Sequence, residues 1–276
     1  MNIPDALLLG ALQGLTEFLP ISSSGHLILA ENFLHLDVES LKSFDIAVHF
    51  GTLIAILIYF REDFVRLFKG AIFVLFKVKI GRAHDPEEPE ASGRMVKFIL
   101  LATVPALLIG AFFADFLDTY FRNPFSVAIF MILIGVYFFL AEYIAAHRPK
   151  SQFTWLNTML IGISQACALI PGISRSGATI STGLVTGIKR EEAARFSFLL
   201  GSIAIAAAFA LSVFKMIKGE IAFAGYDVLL IGIVTSSVAG YAAIAFLMRF
   251  LKSHTLHIFG IYRVILGVAI LAFLLV

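Results

Sequence analysis

TEFLPISSSGHL, residues Thr16–Leu27, sets an acid, a proline, three serines, a glycine and a histidine between two apolar arms. Proline removes a backbone donor and stops a helix, and a Ser-Ser-Ser-Gly run turns the chain. The apolar region 5–36 is long enough to cross a bilayer, yet it is cut into two arms that are each too short to cross alone. A second region, 155–188, is cut in the same way by PGISRSG at 171–177. Broken backbone at membrane depth is tolerated only where protein or a water-filled cavity covers it. Each region is therefore expected to form a re-entrant helix–loop–helix hairpin that dips in and returns to the same side.

The rest of the chain points the same way. Of its 276 residues, 59% are hydrophobic, 14% are charged and 28 are phenylalanine, with a mean hydropathy of +0.94. Soluble domains are about half apolar and a quarter charged. Six stretches read as full spans, near 44–60, 96–116, 125–145, 193–214, 228–250 and 258–276. The expected fold class is an all-α polytopic membrane protein with six transmembrane helices plus two re-entrant helix–loop–helix hairpins. Shifted by 152 residues without a gap, 7–28 falls on 159–180. Leu8, Gly10, Gln13, Ile21, Ser22, Ser24, Gly25 and Ile28 then meet Leu160, Gly162, Gln165, Ile173, Ser174, Ser176, Gly177 and Ile180. These identities include loop residues, which apolar composition alone would not match. The chain thus reads as one membrane domain, 1–276, with repeat one at about 1–146 (hairpin 5–36 plus three spans) and repeat two at about 155–276 (hairpin 155–188 plus three spans). Three spans is an odd number, so the second copy enters upside down and the repeat is of inverted topology.

Orientation follows from lysine and arginine placement. Arg61, Arg66, Lys69, Lys77, Lys79, Arg82, Arg94 and Lys97 follow the first span, Arg148 and Lys150 the third, and Arg249 and Lys252 the fifth; Lys189, Arg190 and Arg195 precede the fourth. The alternate connections hold little beyond Lys42, Arg122, Lys215 and Lys218, so the basic side is cytoplasmic and both termini lie outside. Residues 64–79 mix aromatics with spaced cations and read as a segment along the inner interface, with HDPEEPEASG (84–93) as an exposed tip. A net charge of +2 without a basic cluster in polar loops argues against nucleic acid as a partner. Cys167, the single cysteine, excludes an internal disulfide and fits no metal motif. The start, MNIPDALLLG, lacks the basic n-region and small-residue cleavage site of a signal peptide and reads as mature protein.

The polar chemistry sits in the two breaks. Helical spacing puts Gln13 and Glu17 on one face; Pro20 ends that helix, Ser22, Ser23, Ser24 and Gly25 turn the chain, and His26 opens the returning helix. The second break repeats this with Ser174, Arg175, Ser176 and Gly177 before a helix starting near Ala178 and Thr179. Hydroxyls and free N–H groups at a helix N-terminus form an anion site, most naturally for phosphate. Arginine grips phosphate oxygens bidentately. Taken singly, Ser22, Ser24, Ser174 and Ser176 serve packing or capping as readily as ligand contact. Glu17, His26 and Arg175 are ionisable groups at membrane depth, where function is the default expectation. Asp45 and His49, one turn apart in the first span, are secondary candidates; Glu142 sits at a span end and reads as interfacial; His35, His84, His147, His254 and His257 lie in loops or near span ends.

GLTEFLPISSSGH (14–26) and PGISRSGATIS (171–181), in this order and spacing, resemble the undecaprenyl-diphosphate phosphatase family of bacterial membranes, known also for bacitracin resistance. The resemblance covers essentially the whole chain. It implies hydrolysis of a polyprenyl diphosphate to the monophosphate, which regenerates the lipid carrier for cell-wall synthesis, in the bacterial cytoplasmic membrane with a site opening to the outer face. It also implies a divalent cation. Carried onto this chain, the family's acid is Glu17, its serine Ser23, its histidine His26 and its arginine Arg175. One position departs: the residue one turn before the acid, often glutamate in the family, is Gln13 here.

Two functions are compatible with this pattern. In a phosphatase, the terminal phosphate lies between Ser23, His26 and Arg175, with a metal held by Glu17 and phosphate oxygens. Mg2+ suits one carboxylate plus phosphates and waters, with Ca2+ or Mn2+ as alternatives. Ser23 is then the nucleophile and His26 its base, or His26 is itself the nucleophile or the base for a water, with Ser23 a phosphate ligand. The alternative is a transporter or flippase of phosphorylated polyprenyl lipid or another anion, which an inverted repeat also suits. Aligned Ser–His–Glu chemistry separates the two, because a transporter does not need it. Expected partners are the lipid diphosphate and the bilayer; a homodimer is left open.

Overall fold

The computed structural model describes residues 1–34, 38–78, 88–219 and 225–275. Its described residues form eleven helices and no strand: α1 (Ile3–Phe18), α2 (Ser23–Phe33), α3 (Val38–Tyr59), α4 (Arg61–Phe76), α5 (Glu88–Phe121), α6 (Pro124–His147), α7 (Trp155–Cys167), α8 (Arg175–Val185), α9 (Arg190–Ile217), α10 (Tyr226–Phe250) and α11 (His257–Leu274). Five of these, α5, α6, α9, α10 and α11, are long and apolar enough to cross a membrane. A sixth is counted when α3 and α4 are joined across their 83° bend. The bend falls where α4 begins, the stretch whose aromatics and cations suggest an interfacial helix. Lys79, His35 and His84 lie outside the described residues. Of the tip expected at 84–93, residues 84–87 also lie outside them, while 88–93 begin α5 rather than a loop.

Both breaks fall where the punctuation residues stand. α1 opens on a capping box between Asn2 and Asp5 and ends at Leu19, before Pro20. α7 opens on the same device, between Thr154 and Asn157. Ser22 caps α2 through the Gly25 N–H at 3.3 Å, and Ser174 caps α8 through the Gly177 N–H at 3.2 Å. Both caps have left-handed backbones, with φ of 79° at Ser22 and 52° at Ser174. For non-glycine residues this is a strained conformation that surrounding structure must hold in place.

The helices pack through small residues. α1 lies along α10, and α7 lies along α5. A Cβ on Gly10 would meet the Gly232 carbonyl oxygen at 3.1 Å, and one on Gly162 would meet that of Ala102 at 2.6 Å. Gly10 and Gly162 correspond under the 152-residue shift, so matching positions in the two sequence repeats each bring a short helix onto a long helix of the other half. The centre is a phenylalanine-rich core: Phe18 and Phe198 meet edge-on at 5.6 Å, and Phe138 and Phe196 are fully buried beside them. Large apolar side chains such as Phe112, Leu133, Val238 and Ile265 are exposed, as a lipid-facing surface requires.

Glu142, near the end of α6, is packed between helices. It is 4% exposed, forms a bidentate pair with Arg190 at 2.5 and 3.1 Å, and accepts the Leu256 N–H at 2.8 Å. A buried carboxylate needs such partners, and here it ties α6 to the start of both α9 and α11.

The α1–α10 seam is tight at Gly14, where a Cβ would meet the Ser236 carbonyl oxygen at 2.5 Å and the Gly240 nitrogen at 2.8 Å. Gly14→Val should therefore push α1 off α10 and cost roughly 1–3 kcal/mol. This would be read as a lower thermal unfolding midpoint in detergent, against no comparable loss for the exposed control Leu8→Val.

Candidate active site

The two breaks meet at Glu17. Its Oε1 accepts from Arg175 Nη2 at 2.6 Å, and its Oε2 accepts from Ser23 Oγ at 2.7 Å and Gln13 Nε2 at 3.1 Å. Gln13 and Glu17 share a face of α1, one turn apart, as their spacing requires. Glu17 is only 8% exposed, so an isolated carboxylate here would be prohibitive. Three donors, one of them a guanidinium, compensate it. Arg175 Nη1 is buried without a hydrogen-bond partner among the described residues, which leaves the guanidinium with donors to spare.

A cavity of about 400 Å³ opens beside this cluster. Glu17, Ser22, Ser23, Ser24, Ser174 and Arg175 line it, together with Asp45, His49 and Arg122 and an apolar wall from α9 that includes Ala204, Ala208 and Phe209. The first turns of α2 and α8 both start here, at Ser23 and Arg175. A cavity with two helix N-termini, several hydroxyls and an under-used guanidinium suits an anion with several oxygens.

Other predicted residues are buried outside this lining. Thr179 donates to the Arg175 carbonyl at 2.8 Å and shares a 2.6 Å hydrogen bond with Ser197, which pins α8 to α9. Ser176 donates to the Leu19 carbonyl at 3.4 Å and so joins the two breaks. Gly25 and Gly177 supply the capped N–H groups, and a Cβ on Gly177 would meet the Phe138 ring at 2.6 Å.

His26 is the main departure from expectation. The expected Ser23–His26 pair does not form among the described residues. His26 Nδ1 donates to the Ser22 carbonyl at 2.7 Å, and in the neutral ring Nε2 accepts from the Tyr262 hydroxyl at 2.7 Å. Ser23 turns back across the break instead, because an ionised carboxylate stands there and is the stronger acceptor.

The family model described as "Bacitracin resistance protein BacA" matches residues 6–269. The chain belongs to the BacA family. It is similar to the undecaprenyl-diphosphatase of Rubrobacter xylanophilus, 41% identical over 277 residues that cover 100% of this chain and 99% of that one. Similar too are the undecaprenyl-diphosphatases of Mycolicibacterium smegmatis, 41% identical with 99% and 97% covered, and of Desulforudis audaxviator, 37% identical with 98% and 97% covered.

In this BacA-family chain, sequence reading passed over two residues that organise the site from behind. Tyr262 and Arg263 are neighbours on α11. Tyr262 bonds His26, and Arg263, 0% exposed, donates to backbone carbonyls of both breaks: Pro20 at 3.3 Å and Gly172 at 2.5 Å. It also donates to Met131 at 3.3 Å and Phe130 at 3.4 Å on α6. No carboxylate pairs with it among the described residues. Carbonyls freed by a chain break are costly when buried unpaired, and one planar fork answers one from each break while also tying to α6. The signal was present in the sequence, since a lone cation inside an apolar span is functional or structural by default. Gly201 is the third omission: a methyl group there would occupy the space of the Arg175 guanidinium.

Arg263→Lys keeps the charge but cannot span four carbonyls. The break carbonyls of Pro20 or Gly172, if left unpaired, should cost about 1–3 kcal/mol each. A lowered unfolding midpoint in detergent checks this, and Arg263→Met should lower it further.

Proposed function

We propose that this chain hydrolyses undecaprenyl diphosphate to undecaprenyl phosphate and inorganic phosphate, recycling the lipid carrier of cell-wall synthesis and conferring bacitracin resistance. The observation that carries the reading is the Ser23 hydroxyl 2.7 Å from a buried carboxylate, beside an arginine with an unpartnered Nη1. A flippase would use the cation and the amides but not this Ser–Glu alignment.

In this reading the terminal phosphate sits over the first turns of α2 and α8, held by their backbone N–H groups and Arg175. Ser23 Oγ attacks the terminal phosphorus while Glu17 Oε2 takes its proton. The bond from that phosphorus to the bridging oxygen breaks, and its electron pair leaves with the lipid phosphate. Glu17 passes that proton to the departing lipid phosphate. Water then attacks the phosphoserine phosphorus while Glu17 takes a proton from it, the P–Oγ bond breaks, and the proton goes to Ser23 Oγ as inorganic phosphate leaves. Glu17, not His26, is thus the base; His26 holds the strained Ser22 backbone from which α2 starts.

A divalent cation fits the residues present. Glu17 Oε1 takes a single donor, and Gln13 Oε1, buried beside it, has no partner among the described residues. Glu17 with Gln13 would hold Mg2+, Ca2+ or Mn2+, with phosphates and waters completing the shell. No group of three His, Cys, Asp or Glu residues among those described can hold a metal by itself, so the ion would arrive with the substrate. When bound, it neutralises phosphate charge.

The proposed topology is six spans and two re-entrant hairpins in the bacterial cytoplasmic membrane, related as inverted repeats, with both termini outside. The reciprocal packing of α1 on α10 and α7 on α5 supports it. The cavity reaches Asp45 near the start of α3 and Arg122 in the α5–α6 turn, the end remote from basic α4, which supports an opening to the outer face. A homodimer remains compatible with this arrangement.

Acid quenching after brief exposure to labelled lipid diphosphate should leave acid-stable phosphoserine on Ser23, lost in Ser23→Ala along with turnover. Acid-labile phosphohistidine, or a Ser23→Ala enzyme that keeps most of its rate, rejects the serine step. Gly201→Ala displaces Arg175 and should lower turnover by about a hundredfold or more. The same displacement leaves the buried Glu17 carboxylate without its cation, so the unfolding midpoint should fall as well.

A further inference from the structure

We propose that Arg122 is the second cationic contact of this cavity and binds the lipid-side phosphate of the diphosphate, an inference that rests on the phosphatase reading above. Two arginines line the cavity. Arg175 stands with Ser23 and Glu17 where the breaks meet; Arg122 comes from the α5–α6 turn. An in-line attack by Ser23 places the leaving phosphate on the far side of the terminal phosphorus from Ser23 Oγ. That phosphate keeps its charge and gains more as the bridging bond breaks. Arg175 is already committed to Glu17 through Nη2, so the second phosphate needs its own counter-charge.

Arg122 is held in a way that leaves it available. Its guanidinium lies 3.6 Å from Glu31, 3.7 Å from Asp45 and 3.5 Å from Asp118. All three separations are long for charge-assisted hydrogen bonds, so each carboxylate contact is a weak one. The acids keep the cation at the cavity by Coulombic attraction and long contacts, none of them a short bidentate pair with its planar fork. The Arg122 side chain is 33% exposed, unlike the Glu31 side chain at 1%. A phosphate reaching bidentate distance offers the fork two short charge-assisted bonds that the carboxylates do not supply. In the step itself Arg122 donates hydrogen bonds to the departing lipid phosphate and transfers no proton. It stabilises the electron pair left on the bridging oxygen.

The bland alternative is that Arg122 only ties α2, α3 and the end of α5 together. The two products separate these roles, because each carries one of the two phosphates. Competitive inhibition by a polyprenyl monophosphate and by inorganic phosphate is to be measured on wild type, Arg122→Gln and Arg122→Lys, with unfolding midpoints alongside. For Arg122→Gln the inhibition constant of the lipid monophosphate should rise by about tenfold to a hundredfold while that of inorganic phosphate changes by less than about twofold. Arg122→Lys, which keeps the charge and loses the fork, should fall between. An unchanged constant for the lipid monophosphate overturns the proposal. So does a parallel loss for both products, which marks a structural tie. Should Arg122→Gln fail to fold, the same split in Arg122→Lys decides. A wild-type protein that releases no phosphate would reject the phosphatase reading instead, and equilibrium binding of the lipid monophosphate would then still test Arg122.

Discussion

A carboxylate and a guanidinium 158 residues apart in the chain meet at 2.6 Å inside an apolar protein, and the site is organised around that pair. Neither charge is tolerable there alone. Their pairing fixes the first break against the second, which sets the N-termini of α2 and α8 beside one cavity. It also leaves an imbalance that is chemically useful. Glu17 is satisfied by Arg175, Ser23 and Gln13, whereas Arg175 keeps an unpartnered Nη1. In the proposed mechanism the same pair supplies the base and the cation that holds the anion.

A break in a membrane helix exposes backbone carbonyls and N–H groups that lipid cannot answer. The N–H side is settled locally by Ser22 and Ser174, each bonding the glycine three residues on. The carbonyl side is settled from a distance by Arg263. This division has a consequence for chemistry. Capping serines use only part of the positive ends of α2 and α8, so N–H groups remain for a ligand, while the carbonyls that would repel phosphate are occupied. His26 belongs to the same scaffold, joined to Ser22 on one side and Tyr262 on the other.

The cavity has two ends of different character. Around Glu17 and Arg175 the contacts are short and buried; around Arg122 they are long and partly open. Tight pairing suits groups that must hold geometry while a bond breaks, and loose pairing suits a group that must exchange partners as substrate arrives. The apolar face of α9, with Ala204 and Ala208, lines the same cavity and would give a lipid-bearing substrate a compatible wall.

Much of this was legible in residue order, for local reasons. Proline and the serine-glycine runs set both breaks, apolar length set the long helices, and the 152-residue correspondence paired Gly10 with Gly162 and Ser22 with Ser174. Membrane depth made Glu17, His26 and Arg175 conspicuous, since an ionisable side chain in an apolar chain has no solvent to explain it. What only the tertiary structure decided is who meets whom. Residues three apart around a turn, Ser23 and His26, looked like partners; the fold gave Ser23 to Glu17 and His26 to Tyr262, 236 residues away. Glu142 stood out only as a charge at a span end, and its partners, Arg190 and the Leu256 N–H, came from two other helices. Arg263 was hidden because its four acceptors are backbone carbonyls, which every residue carries and no sequence pattern marks. Spacing along a chain determines helices, breaks and faces through short-range sterics and periodicity, while hydrogen-bond partners across helices depend on packing in three dimensions, which no local pattern encodes.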